Sequence, residues 1–146
     1  MQVSAILDDK GHDVKVVGPD TPISVAVHRM SSLGIGCLVV VGSGGRPSGV
    51  LAERDVVRGI ARHGDSFLRR HVRDVVGTRS ATTCSPSDDI TTVMVRMTQT
   101  RERHLPVVDD AGALVGLVSI GDLVKGRLGD LELQTHVLRD AYVAHR

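Results

Sequence analysis

Shifted by 67 positions, this chain of 146 residues falls onto itself without a gap. Ile23 lands on Ile90, Arg29 on Arg96, Met30 on Met97, Leu38 on Leu105 and Val40-Val41 on Val107-Val108. Gly45 lands on Gly112, Gly49 on Gly116, Asp55 on Asp122, Val57 on Val124 and Gly59 on Gly126. From Val14 to Gly59, 12 of 46 positions are identical. An ungapped register over that length marks a duplication. Two copies are too few for a solenoid, so the expectation is one pseudo-symmetric module made of two halves.

Each half reads as β-α-β-β-α. A short strand (residues 14–17 and 81–84) leads to a helix with a one-sided apolar stripe. The stripe is Ile23, Ala26, Val27, Met30 and Leu33 in the first copy, and Ile90, Val93, Met94 and Met97 in the second. Asp20-Thr21 with Pro22 in the first turn, and Ser87 or Asp88 with Asp89, read as helix starts. Buried strands follow at 37–41 and 105–108. Glycine-bearing turns then lead to second strands (49–52 and 114–119) and closing helices (53–62 and 120–128). This organisation gives an N-terminal segment 1–13 with a helical turn at 3–7, a first copy 14–64 and a connector 65–77 with a short helix near 68–76. A second copy 78–128 and a separate C-terminal helix 129–146 complete the chain.

A length of 146 residues suits one domain with one buried core. Aromatics are limited to Phe67 and Tyr142, so the core is aliphatic and the stacking platform of a single-stranded nucleic-acid binder is missing. A net charge of +1 argues against duplex DNA as partner. Cys37 and Cys84 form no CxxC and read as buried thiols, with a disulfide left open. No apolar run approaches a membrane span, and the first residues lack a secretory pattern, so a cytoplasmic location is expected.

The chemistry concentrates where each second strand runs into a helix: Gly116-Leu117-Val118-Ser119-Ile120-Gly121-Asp122, and Gly49-Val50-Leu51-Ala52-Glu53-Arg54-Asp55. A strand-end hydroxyl and the free N–H groups of a helix start can hold a phosphate. A carboxylate three residues on can accept two hydroxyl hydrogen bonds from a ribose, at about 1.5–3 kcal/mol each. A capping box, with Ser119 as cap and Asp122 completing it, accounts for the same residues equally well.

These runs, with Arg103-His104-Leu105-Pro106-Val107-Val108-Asp109 ahead of the second, resemble the cystathionine-β-synthase (CBS) domain. The resemblance covers about residues 5 to 128 and is that of a stand-alone CBS pair, or Bateman module. It implies an α+β tandem pair with pseudo-twofold symmetry and two clefts between the copies. In a main cleft, Asp122 would hold ribose hydroxyls, and Ser119, Arg103 and neighbouring His104 the phosphate. The base would lie near Lys15, Val16, Ile35, Gly36, Cys37 and Leu117. In a second cleft Asp55 is the ribose ligand, with Arg54 at the helix start and Val50, Thr82 and Thr83 near the base. Ala52 stands where the family has Ser or Thr, and Gly36 where the second copy has Arg103. The Asp122 cleft is therefore expected to be the stronger.

The resemblance further implies a regulatory module without catalysis of its own, binding AMP, ADP, ATP, NAD or S-adenosylmethionine. The family's usual assembly is a homodimer, here through the faces around Met30, Met94 and Met97, and an unidentified regulated protein is a further expected partner. A protein-interaction adaptor with degenerate clefts is the alternative. An enzyme reading lacks the barrel that accompanies such pairs in inosine-monophosphate dehydrogenase. The seven histidines show no zinc spacing. Ser80 and Ser85-Pro86 lack a Gly-x-Ser-x-Gly elbow. Residues 42–45 lack the Lys of a P-loop. The basic cluster at 69–73 reads as a solvated connector face.

Overall fold

The computed structural model describes residues 1–77 and 81–145. Helix α1 (Val3–Lys10) precedes strand β1 (Val16–Val17), α2 (Ile23–Leu33), β2 (Cys37–Val41), β3 (Pro47–Ala52) and α3 (Glu53–His63). A 3₁₀ turn (Gly64–Arg69) and the single-turn α4 (Val72–Val75) form the connector. Helix α5 (Ile90–Thr100), strands β4 (His104–Val108) and β5 (Leu114–Ser119), and α6 (Ile120–Ala144) complete the chain. The expected start of the second copy at Thr78, and Ser80, lie outside the described residues.

The duplication is legible in the register. Strands β2 and β3 pair antiparallel with an irregularity between Val40 and Val41, and β4 and β5 repeat it between Val107 and Val108. Arg29 and Arg96 each donate a guanidinium hydrogen bond to a first-strand carbonyl, Val16 and Thr83 respectively. The first copies of strand and ladder make a β1-β2-β3 sheet with β1 parallel to β2. In the second copy the strand expected at 81–84 shrinks to one parallel bridge, Cys84 to Val107. Its neighbours Ser85 and Pro86 turn away at once, with Ser85 N–H donating to Asp88.

Each copy has its own core. One gathers Ile23, Met30, Leu38, Val40 and Leu51 with Phe67 and Val72 of the connector. The other gathers Ile90, Met97, Leu105, Val107 and Leu123 with Val3, Ile6 and Leu7 of α1. The segment ahead of the first copy thus completes the second, and the connector completes the first. Two repeated glycine pairs explain the fit. A Cβ at Gly59 would collide with the Phe67 ring and one at Gly49 with Val76. At Gly126 it would sit 2.5 Å from Ile6 Cδ1, and at Gly116 2.7 Å from Leu7 Cδ2. Bridges Gln2 to Asp89 and Pro22 to His71 tie the same segments to the two helix starts.

Several expectations change. Pro22 is the extended residue before α2 rather than part of its first turn, and no side chain caps that helix. Asp20 is instead paired with Arg73 of the basic cluster. In the second copy Asp89 is the cap, accepting from Thr91 and Thr92 N–H. The helices expected at 120–128 and 129–146 are a single α6 that runs unbroken from Ile120 to Ala144, because Gly129 costs a helix only about 1 kcal/mol. Met30 and Met97 are buried at 4% and 1% exposure, so they fill the cores and offer no surface to a second copy. Both cysteines are free thiols, Cys84 buried with its pKa pushed up to about 12 by burial.

Candidate nucleotide site

Strands β3 and β4 bring the two copies together, so each strand-to-helix corner faces the other copy. Backbone bonds fix the corners alike: Glu53 N–H donates to Gly36 C=O at 3.0 Å, and Ile120 N–H to Arg103 C=O at 2.9 Å. In both, the aspartate folds back on its own helix start. Asp55 Oδ2 accepts from Ala52 N–H at 2.8 Å, and Asp122 Oδ2 from Ser119 N–H at 2.9 Å. Ser119 Oγ in turn accepts from Asp122 N–H at 3.1 Å, which closes a capping box. Ala52 has no side-chain oxygen to do so, so α3 lacks this half of the box.

The corners differ in access. A cavity of about 700 Å³ opens beside Asp55, lined by Gly36, Val50, Ala52, Arg54, Arg103 and His104 among others. An adjoining cavity of about 310 Å³ shares Val50, Asp55 and His104 and adds Thr82 and Pro106. These volumes lie in the range of small-ligand sites. Arg54, Arg58, Arg101 and Arg103 line the larger cavity and form no ion pair among the described residues. Unpaired guanidinium groups at a helix start are the chemistry of phosphate recognition.

Asp122 sits differently. Lys10 Nζ, at the end of α1, lies 2.7 Å from Asp122 Oδ2 and 3.0 Å from the carbonyl of Leu117. Burial alone would raise the Asp122 pKa. The Lys10 hydrogen bond and the Ser119 N–H outweigh it and hold the carboxyl below its ordinary value. His104 is pushed below its ordinary value, first by burial and then by the Lys10 charge, and the Cys37 thiol is raised by burial and lowered by Lys10. Leu117 and Asp122 thus bond one ammonium, whose charge is felt at His104 and Cys37.

The expected main-cleft residues thus divide. Leu117 and Asp122 hold Lys10, Ser119 is bonded to Asp122, and Cys37 feels the Lys10 charge. His104 faces both sides, and Gly36 and Arg103 line the Asp55 cavity. Lys15 pairs with Asp13 at 2.9 Å, and Ile35 packs against the first core. The Val16 carbonyl is taken by Arg29, and that of Thr83 by Arg96. Of the second-cleft residues, Val50, Arg54, Asp55 and Thr82 come together; Thr83 is not among them. The sequence reading missed Lys10 and Arg101. The 67-residue shift signals the second, since Arg101 falls on Gly34. Both close their helices in the left-handed conformation, at φ 58° and 64°. Lys10 lies outside the repeat and left no such signal.

Two strand-helix halves, each carrying an aspartate folded back on its own helix start, make a doubled module. The chain belongs to the CBS-domain family: the CBS domain model matches twice, over residues 4–62 and 72–129. The crystal structure of a CBS-domain containing protein from Agrobacterium tumefaciens is 38% identical, covers 87% of this chain and 99% of that one, and superposes at a TM-score of 0.78. A CBS domain protein of Pyrobaculum aerophilum, solved in complex with AMP, is 26% identical over 92% of this chain and 99% of that one, at a TM-score of 0.76. The mitochondrial CBS domain-containing protein CBSX3 of Arabidopsis thaliana is 36% identical over 109 residues, which are 73% of this chain and 52% of that protein. The chain therefore spans about half the length of that curated relative. Among the described residues no helix is long and apolar enough to cross a membrane, and no three metal-ligating side chains cluster.

Proposed function

We propose that this CBS pair is a regulatory module that binds an adenine nucleotide at the Asp55 corner and catalyses nothing itself. The observation that carries the reading is the Asp55 cavity of about 700 Å³, where the helix-start carboxylates of Glu53 and Asp55, with Glu102, face Arg54, Arg58, Arg101 and Arg103, arginines that form no ion pair among the described residues. Asp55 would accept the two ribose hydroxyls while keeping the Ala52 N–H. Arg54, Arg101 and Arg103, with the first turn of α3, would hold the phosphate. Val50, Val76 and Pro106 offer apolar surface for the base. AMP in the Pyrobaculum protein supports an adenine ligand. AMP, ADP, ATP and NAD all present the same adenosine phosphate.

Ranked by sequence, Asp122 stood first. In the structure its carboxylate already accepts from Lys10, in the manner a ribose hydroxyl would use, so a ligand there must first displace the lysine. The module would work in the cytoplasm as a homodimer, passing the ligand state to a protein it regulates.

A thermal-shift and calorimetric titration with AMP, ADP, ATP and NAD tests the proposal. A ligand that binds only the folded chain stabilises it by about 2.7 kcal/mol at a hundredfold excess over Kd. One of the four is expected to raise Tm in this way, and Asp55→Asn to abolish most of the rise. No response to any of them would leave the adaptor reading standing. Turnover of a nucleotide by the pure protein would overturn the non-catalytic one.

A further inference from the structure

Helix α3 carries Arg54, Arg58 and Arg62 four residues apart, on one side of the helix. A single cation in the last turn complements the helix dipole, but three in a row oppose one another and need a different reason. Arg58 lies between two hollows. One is the cavity of about 700 Å³ beside Asp55, which Arg54 and Arg58 line. The other is a groove of about 260 Å³ between α3 and the connector, lined by Arg58, Arg62, Arg70 and His63 with Asp55 and Asp74. Arg58, Arg62 and Arg70 form no ion pair among the described residues. Of the basic cluster at 69–73, Arg73 pairs with Asp20, whereas Arg70 lines the groove. The groove is built before anything binds. Arg70 N–H donates to Phe67 C=O, and the Arg70 carbonyl accepts from Ile23 N–H. Its guanidinium can only donate, so His63 Nδ1 accepts from it at 3.4 Å, and the His63 ring stacks on Phe67. Both carboxylates are already engaged at helix starts, Asp55 by Ala52 N–H and Asp74 by His71 N–H.

We propose that this groove seats a carboxylate from an acidic segment of the protein that the module regulates, an inference that rests on the regulatory reading above. Size favours a side chain. The groove falls below the range of about 300–1,000 Å³ typical of small-molecule sites, so it suits one anionic side chain rather than a whole nucleotide. Charge favours a monoanion. Three guanidinium groups against two carboxylates leave a surplus of one positive charge, which a carboxylate balances and a doubly charged phosphate exceeds. Planar guanidinium forks also match a carboxylate in bidentate pairs. A nucleic-acid strand fits less well, because Phe67 at the groove is buried, at 3% exposure, and offers bases no face to stack on. Arg54 extends the positive row beyond the groove and gives a further carboxylate of the same segment a place. Arg58 makes the two ligands antagonists: a nucleotide phosphate in the Asp55 cavity and a carboxylate in the groove draw on the same guanidinium. Each therefore weakens the other by the same factor.

Fluorescence anisotropy of a labelled octaglutamate peptide with the purified full chain tests it. The peptide is expected to bind the wild type, and to bind Arg62→Gln/Arg70→Gln about tenfold more weakly, since two exposed ion contacts are lost. Lys125→Gln/Arg139→Gln on α6 removes as much charge and should bind like the wild type. All four residues are exposed, so circular dichroism of both variants should be that of the wild type. Absence of peptide binding, or an equal loss in both double variants, overturns the proposal. Tighter binding of a phosphoserine peptide or an oligonucleotide of matched charge overturns the choice of an acidic protein segment. Saturation with the nucleotide that raises Tm should weaken the peptide severalfold in the wild type, and an unchanged peptide affinity overturns the antagonism through Arg58. Calorimetry of that nucleotide with Arg62→Gln/Arg70→Gln should match the wild type. A chain that binds the peptide and no nucleotide refutes the nucleotide reading alone, and one that binds the nucleotide and no peptide refutes the docking groove alone.

Discussion

Lys10 Nζ and Asp122 Oδ2 stand 2.7 Å apart across 112 residues of chain, joining the end of the first helix to the first turn of the last. The pair is partly solvated, with side-chain exposures of 36% and 26%. Its net contribution to stability is therefore small, about 0.2–1 kcal/mol. Its effect on access is larger, because the carboxylate that a ribose would use is already bonded.

Lys10→Ala separates the two effects. We expect Tm to change by no more than a few degrees, and calorimetry with the responding nucleotide to rise from one site per chain toward two. An unchanged stoichiometry with an unchanged Kd would show that Lys10 does not close the Asp122 corner.

His104 makes stability depend on pH. Its pKa is held below the ordinary 6.5 by burial and by Lys10, so near that pH the unfolded chain binds more protons than the folded one. Stability is then complete above pH 6.5 and falls as the pH drops through the folded value. Asp122, also depressed, adds a loss only on further acidification, below the ordinary carboxylate value. Tm measured from pH 8 to 5 should decline toward acid, and His104→Gln should flatten the decline. Equal slopes for the two proteins would remove His104 from the account.

Arg101 is the described non-glycine residue with positive φ, at 58°, where its counterpart in the first copy is Gly34. A left-handed side-chain residue costs about 1–2 kcal/mol, part of which glycine recovers. Arg101→Gly should raise Tm by a few degrees and weaken the nucleotide severalfold, since the residue lines the Asp55 cavity. Stabilisation with unchanged affinity would leave the strained arginine without a role in binding.

The glycine pairs predict a graded loss. Gly59→Ala pushes a methyl into the Phe67 ring, which stacks on His63 with centroids 6.3 Å apart. It should cost about 1–3 kcal/mol in denaturant unfolding. Gly116→Ala meets only the end of Leu7, at 2.7 Å, which can change rotamer, and should cost less. The reverse order would mean that the connector packs less tightly than α1.

Much of this was legible in the sequence because the chain states it twice. The 67-residue shift locates both aspartate corners, the turns and the apolar stripes, since local periodicity and turn chemistry act over a few residues. The shift also placed Arg101 on a glycine. What stayed hidden depends on contacts between distant segments. Nothing local to Lys10 announces Asp122, nothing in α1 tells that it completes the second copy rather than the adjacent first, and nothing in the connector tells that it completes the copy before it. The 81–84 strand failed for a related reason. Its β propensity is adequate, but Pro86 and the Asp88 turn leave only Cys84 within reach of β4.

The central claim is that the open corner is the one at Asp55. Calorimetric titration of the wild type, Asp55→Asn and Asp122→Asn with the same adenine nucleotide tests it most directly. Asparagine keeps an oxygen for the helix start while removing the charge. The account predicts a tenfold or greater loss of affinity for Asp55→Asn, about 1.4 kcal/mol or more, and little change for Asp122→Asn. A loss confined to Asp122→Asn would contradict it and return the main site to the second copy.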